Sequence, residues 1–173
     1  VNFNALSTRI GRIQTSEAGA LTGSGRITLF GQGRSNITGA NTGLNAAISM
    51  LSGHTTVIND ANGLGTGGIT LNDGSTLILN YTNQGVAFDN TLTGGGTLQL
   101  GVNDSIYGSA ALITGANAGF SGQIFITSNS LLNAEGVDVD DTLGTGLVRF
   151  GNEHSYLRIR SSGDSITLDN AFS

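Results

Sequence analysis

The sequence predicts an all-β protein whose chain winds into a parallel β-helix (solenoid) of about eight turns of roughly 21 residues each. Apolar residues recur in pairs two positions apart, a spacing that places both side chains on one face of a strand. One series of pairs recurs once in every predicted turn and comprises Ile27/Leu29, Ile48/Met50 and Ile69/Leu71. A second series, placed between the members of the first, comprises Val57, Leu77/Leu79 and Leu98/Leu100. Each turn therefore contains at least two short strands.

A longer repeat supports the same architecture. Four segments return in the same order: 21–25 at 92–96, 37–41 at 113–117, 64–67 at 143–146 and 88–90 at 168–170. The offset between the two copies grows from each segment to the next. Because a solenoid accepts insertions in its loops, this growth indicates residues added between strands.

The remaining strands follow from the same apolar spacing. We predict them at Ile124/Ile126, Val148/Phe150, Leu157/Ile159 and Ile166/Leu168. Glycines cluster at the predicted corners, where a positive φ is least costly. The best helical candidate, residues 43–50, fits the strand series better. We interpret residues 1–173 as a single β-helix segment of a longer protein, with residues 1–20 as an irregular or incomplete first turn.

Composition excludes several classes of protein. The 173 residues include 28 glycines but no proline or cysteine, which rules out collagen and a disulfide scaffold. All seven basic residues are arginine, and the net charge of −5 argues against nucleic acid as a partner. No apolar stretch reaches the length of a transmembrane helix, and no targeting signal is visible.

Motifs for catalysis and cofactor binding are weak. His54 and His154 are the two histidines, and we interpret both as solvated turn residues. Gly163-Asp164-Ser165 matches the start of a serine protease signature, but Ile166 stands where that signature has glycine. Residues 63–68 match a dinucleotide-binding pattern, but a strand follows where that pattern needs a helix. We therefore predict no catalytic residue, no cofactor and no metal.

Charged residues near the C-terminal end form the candidate partner-contact surface: Arg149, Arg158, Arg160, Asp138, Asp140 and Asp141. The arginines alternate with apolar residues, so we expect them to point outward. The aspartates lie in a segment that is longer than its repeat partner, which predicts a protruding loop. A solvated acidic loop is our interpretation, with weak calcium binding as the alternative.

Residues 92–101 (LTGGGTLQLG) and 113–124 (ITGANAGFSGQI) resemble the passenger-associated repeats of bacterial autotransporters. The resemblance extends over most of residues 20–172 and lies in the order of the repeat elements. It implies a right-handed β-helical passenger, exported through the Gram-negative outer membrane by a C-terminal β-barrel and displayed on the cell surface. Absence of cysteine suits a chain that crosses the periplasm unfolded.

The resemblance also implies a role in virulence, as an adhesin or other partner-binding surface protein. Expected partners are a host-cell surface protein or glycan, another copy of the chain, and the translocator barrel during export. We therefore predict a non-catalytic display segment that also aids passenger folding during export. The alternatives are a polysaccharide-cleaving β-helix enzyme, which would need paired carboxylates in a groove, and a phage tail-fibre solenoid.

Overall fold

A computed structural model of the chain describes residues 7–82, 86–102, 108–136, 139–151, 154–161 and 168–173, with side chains from residue 10 onward except at 139 and 140. Sixteen strands and one short helix are defined within these ranges. The elements are β1 (Ser7–Ile10), β2 (Gln14–Thr15), β3 (Arg26–Leu29), β4 (Arg34–Ile37), β5 (Ala47–Met50), β6 (Thr55–Ile58), β7 (Ile69–Leu71), β8 (Thr76–Leu79), β9 (Ala87–Phe88), β10 (Leu92–Thr93), β11 (Thr97–Leu100), β12 (Ala110–Ile113), β13 (Gln123–Ile126), β14 (Leu131–Gly136), α1 (Val139–Leu143), β15 (Val148–Phe150) and β16 (Tyr156–Ser161).

The strands form three parallel sheets stacked turn upon turn, which confirms the β-solenoid. Sheet A contains β1, β3, β5, β7 and β10, and sheet C contains β9, β12, β14 and β16. Sheet B is the longest, with the order β15-β13-β11-β8-β6-β4-β2. Its seven strands enclose six intervals, so the chain makes about six turns and rises about 29 Å at roughly 4.8 Å per turn.

The predicted number of turns was too high because the turns lengthen along the chain. Arg34, Thr55, Thr76 and Thr97 occupy equivalent positions on successive strands and are evenly spaced in the sequence. The next equivalent residue, Gln123, follows after a longer interval. Sheet A ends at β10 and sheet C begins at β9. Backbone hydrogen bonds from Ser121 N–H to Gly94 O and from Thr145 N–H to Phe120 O continue the wall of sheet A without regular strands.

Aliphatic side chains fill the interior. In sheet B, Leu77 is in register with Leu98, and Leu98 with Ile124, so these side chains form a continuous buried column. The predicted pairs of sheet A and the later pairs at 124/126, 148/150 and 157/159 lie in strands as expected. For the last predicted strand, Ile166 lies outside the described residues.

Val57 departs from its predicted position. Ile58, rather than Val57, is in register with Leu79 and belongs to the interior cluster. Val57 pairs with Ile78, and both side chains are buried but lie outside the interior cluster, on the other side of the sheet from Ile58. The other inward position of β6 is held by buried Thr56, a residue that an apolar pattern does not detect.

Buried asparagines at the corners explain the long repeat. Asn41 Oδ1 accepts the backbone N–H of Leu21 (2.9 Å), and Asn117 Oδ1 accepts that of Leu92 (2.6 Å). Both residues belong to the repeated segments, and each joins its own turn to the preceding one. The repeat thus consists of equivalent hydrogen bonds at two different corners, more than three turns apart, since Leu92 lies three turns after Ile27 rather than after Leu21.

The second pair of corner asparagines binds the repeated Leu-Gly-Thr-Gly segments. Asn90 Nδ2 donates to the carbonyl oxygens of Gly65 (3.1 Å) and Gly67 (2.7 Å). Asn170 Nδ2 makes the same two bonds, of 3.1 and 2.7 Å, to the carbonyl oxygens of residues 144 and 146. These side chains occupy acceptors that a buried corner would otherwise leave unpaired.

Candidate functional site

The predicted arginines are exposed but do not lie on one sheet. Arg149 is on β15 of sheet B, and its guanidinium lies 5.2 Å from the centre of the Phe125 ring on the adjacent strand. Arg158 and Arg160 are on β16 of sheet C. Arg160 Nη1 lies 3.2 Å from Glu135 Oε1, and both partners are solvent-exposed enough that this ion pair adds little stability. The outward orientation of all three arginines is confirmed.

The acidic segment forms a helix where a loop was predicted. Asp140 and Asp141 lie in α1, Asp141 is exposed, and Asp138 lies outside the described residues. Thr142 and Leu143 at the end of α1 are buried, and Leu143 joins the interior cluster. The helix α1 therefore has two roles. Its C-terminal residues Thr142 and Leu143 fill the interior of the longer turn, and Asp141 is exposed on the surface.

His54 is buried, so its interpretation as a solvated residue was wrong. Its side chain is 0% exposed, at the corner that precedes β6. Ser35 Oγ, also buried, accepts the backbone N–H of Ile13 (2.9 Å) and lies 3.0 Å from His54 Nε2. We assign the Ser35 hydroxyl as the donor to Nε2, because its oxygen already accepts a hydrogen bond.

Burial lowers the pKa of His54, and the backbone carbonyls of Phe30 and Gly31 oppose this shift. The imidazole is therefore neutral in the folded protein at pH 7. The pair serves as a buried link between turns, since neither side chain is accessible to a substrate.

Protonation of His54 is expected to destabilise the folded state. Because the folded-state pKa lies below the ordinary value of 6.5, the unfolded chain binds more protons below that pH. We expect the free energy of unfolding to fall as pH drops from 6.5 towards about 5, by at most about 1.4 kcal/mol per pH unit. Urea titrations should show this slope in the native chain and in His154→Gln, which alters an exposed histidine. A slope that persists in His54→Gln would contradict the assignment.

The other predicted motifs carry no site in the described residues. Residues 63–68 form turns followed by β7, so the rejected dinucleotide pattern indeed precedes a strand. Residues 163–165 lie outside the described residues. Within the described ranges, no three or more His, Asp or Glu side chains are grouped closely enough to hold a metal ion.

A cationic cleft on the outer face of sheet B combines two arginines from neighbouring turns. Its volume is about 620 Å³, and it is lined by Arg12, Gln14, Gln32, Gly33, Arg34 and Asn36. Gln14 is in register with Asn36, which places Arg12 level with Arg34 one turn away. Arg12 Nη2 donates to Gln14 Oε1 (2.8 Å), and no lining residue is acidic. We call this feature the Arg12–Arg34 cleft.

Positive and negative charges are distributed unevenly along the chain, and the cleft lies in the positively charged part. Residues 1–59 contain four arginines and one acid, Glu17, whereas residues 60–148 contain eight acids and no arginine. The net charge of −5 therefore conceals a cationic first third, where an anion is attracted. The signal that could have revealed the cleft is the spacing between Arg12 and Arg34, which matches one turn of the solenoid.

In the described part of the chain, no helix has the length and apolar character needed to cross a membrane. Comparison with protein-family models, curated proteins and solved structures found no match to this chain. The fold defines the protein as a parallel β-solenoid with an interior filled by apolar side chains.

Proposed function

We propose that this chain is a non-catalytic segment of a right-handed β-helical autotransporter passenger, displayed on the surface of a Gram-negative cell to bind a host protein or glycan. The observation that carries the proposal is the continuous parallel sheet B, a wall of seven register-matched strands. A solenoid of this kind presents an extended surface for flat or polymeric partners. Right-handedness is favoured because crossovers between parallel strands of a sheet are almost always right-handed.

Threonines aligned on successive strands of the outer surface support a role in binding. Thr55, Thr76 and Thr97 follow one another in register on successive strands of sheet B. On sheet A, Thr70 and Thr93 are register partners whose hydroxyl oxygens lie 3.0 Å apart. Such columns repeat one chemical group at the turn spacing, which suits a ligand that is itself periodic.

The position of the histidines supports a non-catalytic function. His54 is buried against Ser35, and His154 is exposed in a turn on another part of the solenoid. A general base must reach the proton that it removes, so His54 in this position serves packing rather than chemistry.

Surface display tests the proposal. The chain is joined to an export signal and an autotransporter barrel, and intact cells are probed with antibody and protease. We expect antibody-accessible, protease-resistant chain and adhesion of the cells to glycan or host-cell surfaces. Leu98→Asp serves as the unfolded control. Retention inside the cells, or release of reducing ends from polysaccharides by the purified chain, would overturn the proposal.

A further inference from the structure

We propose that the Arg12–Arg34 cleft binds a carboxylate-bearing saccharide, such as a uronic acid unit of an acidic polysaccharide. The inference deepens the proposed function, on which it rests, by naming the ligand class for one place on the displayed wall. It starts from the two level arginines, whose backbones lie one turn, about 4.8 Å, apart.

The guanidinium groups fit a planar anion. Arg12 and Arg34 are both exposed, and an arginine fork donates two parallel hydrogen bonds to a carboxylate. Arg12 uses one nitrogen, Nη2, to bind Gln14 Oε1, which orients its guanidinium beside the cleft. Two cations one turn apart favour carboxylates that recur along a chain over a single isolated anion.

The rest of the lining favours a hydroxyl-rich ligand. Gln14, Gln32 and Asn36 present amide groups. The oxygens of Gln14 and Asn36 already accept from Arg12 and Asn59, and the amide NH2 groups can donate to ligand hydroxyls. The lining contains no aromatic or large aliphatic side chain, although peptide-binding sites usually contain such anchors. Single-stranded nucleic acid likewise needs aromatic platforms for its bases. An acidic saccharide satisfies both the amides and the guanidiniums without apolar contacts.

Charge segregation localises the ligand to this end of the solenoid. The acids of residues 60–148 repel a polyanion from the middle turns. Arg26 on sheet A belongs to the same cationic third but lines a separate, smaller concavity of about 200 Å³. Arg26 therefore experiences the electrostatic potential of the same arginine-rich region without lining the cleft, and Arg26→Gln is a matched control for the cleft variants.

Titration of the purified chain with tetragalacturonate at low salt, followed by calorimetry or amide NMR shifts, tests the inference. We expect saturable binding that weakens about tenfold in Arg12→Gln and in Arg34→Gln, and less than threefold in Arg26→Gln. Neutral maltotetraose and tetraglutamate of the same length should bind at least tenfold more weakly. Circular dichroism should show that all three variants remain folded, since the altered side chains are exposed.

An equal loss in Arg26→Gln would indicate a diffuse field and overturn the cleft as the site. Equally tight binding of tetraglutamate or maltotetraose would overturn the ligand class, and absence of saturable shifts up to about 10 mM ligand would overturn binding itself. Each of these failures leaves the proposed function standing if displayed chain reaches the cell surface and adheres. Failure of display leaves the result in solution intact.

Discussion

Replacing Gly67 with alanine is expected to destabilise the protein by about 3 kcal/mol or more, whereas Gly68→Ala, one residue later, should be nearly neutral. A Cβ on Gly67 would lie against the carbonyl oxygen of Ala46 and 2.6 Å from its carbonyl carbon, in the turn below. That contact is with backbone, so relief requires two turns of the solenoid to separate. A Cβ on Gly68 would meet only the carbonyl oxygen of Thr91, at 3.9 Å.

Chemical denaturation of the two variants measures this difference. Gly68→Ala, which has neither a positive φ nor a close neighbour, should keep the native midpoint or raise the free energy of unfolding by up to about 1 kcal/mol. Gly146→Ala, in the second copy of this repeated segment, should cause a similar loss, since a Cβ on Gly146 would approach the carbonyl carbon of Gly122 at 2.7 Å. Equal stabilities for the Gly67 and Gly68 variants would show that the turns do not stack as described.

Leu98→Asp is expected to abolish the folded state of the neighbouring turns. Leu98 is 2% exposed and packs in the interior column between Leu77 and Ile124. A carboxylate there would lose its hydration without gaining a partner, at a cost of several kcal/mol added to the lost apolar contacts. Because each turn supports the next, the loss should spread cooperatively along the column.

Thr97→Asp is the matched control for this substitution. Thr97 lies on the same strand and its side chain faces outward, so the new carboxylate would remain hydrated. We expect a loss within about 1 kcal/mol from the weaker β-propensity of aspartate. Far-ultraviolet circular dichroism and thermal melting distinguish the two variants, and a native-like melting curve for Leu98→Asp would contradict the assigned register.

The strands of sheet A were predictable because their interior positions are aliphatic in every turn from Ile27 onward. Prediction failed at Val57, where the interior positions of the early part of sheet B hold Ser35 and Thr56. A buried hydroxyl at an interior position leaves no apolar signal in the sequence. Ser35 Oγ is hydrogen-bonded there, whereas Thr56 Oγ1 is buried without a hydrogen-bond partner among the described residues.

The number of turns could not be read from the sequence for a related reason. The regular spacing of the early turns is set by two strands and tight corners, and in sheet B it ends after β11, since Gln123 follows Thr97 at a longer interval. Beyond that point α1 and longer corners extend each turn, and the repeat is marked by corner residues such as Asn90 and Asn170. The sequence shows that these asparagines belong to repeated segments. Their hydrogen bonds between turns can be recognised only in the folded structure.

The candidate site was predicted in part. Alternation with apolar neighbours placed Arg149, Arg158 and Arg160 on the outer face, because strand geometry alone determines that orientation. Which arginines come together depends on register between turns, and this separates Arg149 on sheet B from the other two on sheet C. The same register brings Arg12 level with Arg34, a relation that no local pattern contains.

The parallel register of sheet B is tested most directly by measuring contacts between backbone protons on neighbouring strands by NMR. The structure predicts cross-strand contacts that link Leu77 to Leu98 and Leu98 to Ile124 in parallel sequence order. Contacts in antiparallel order between neighbouring strands, or a helical pattern over these residues, would contradict the solenoid. The proposed binding surface on sheet B would then be wrong as well.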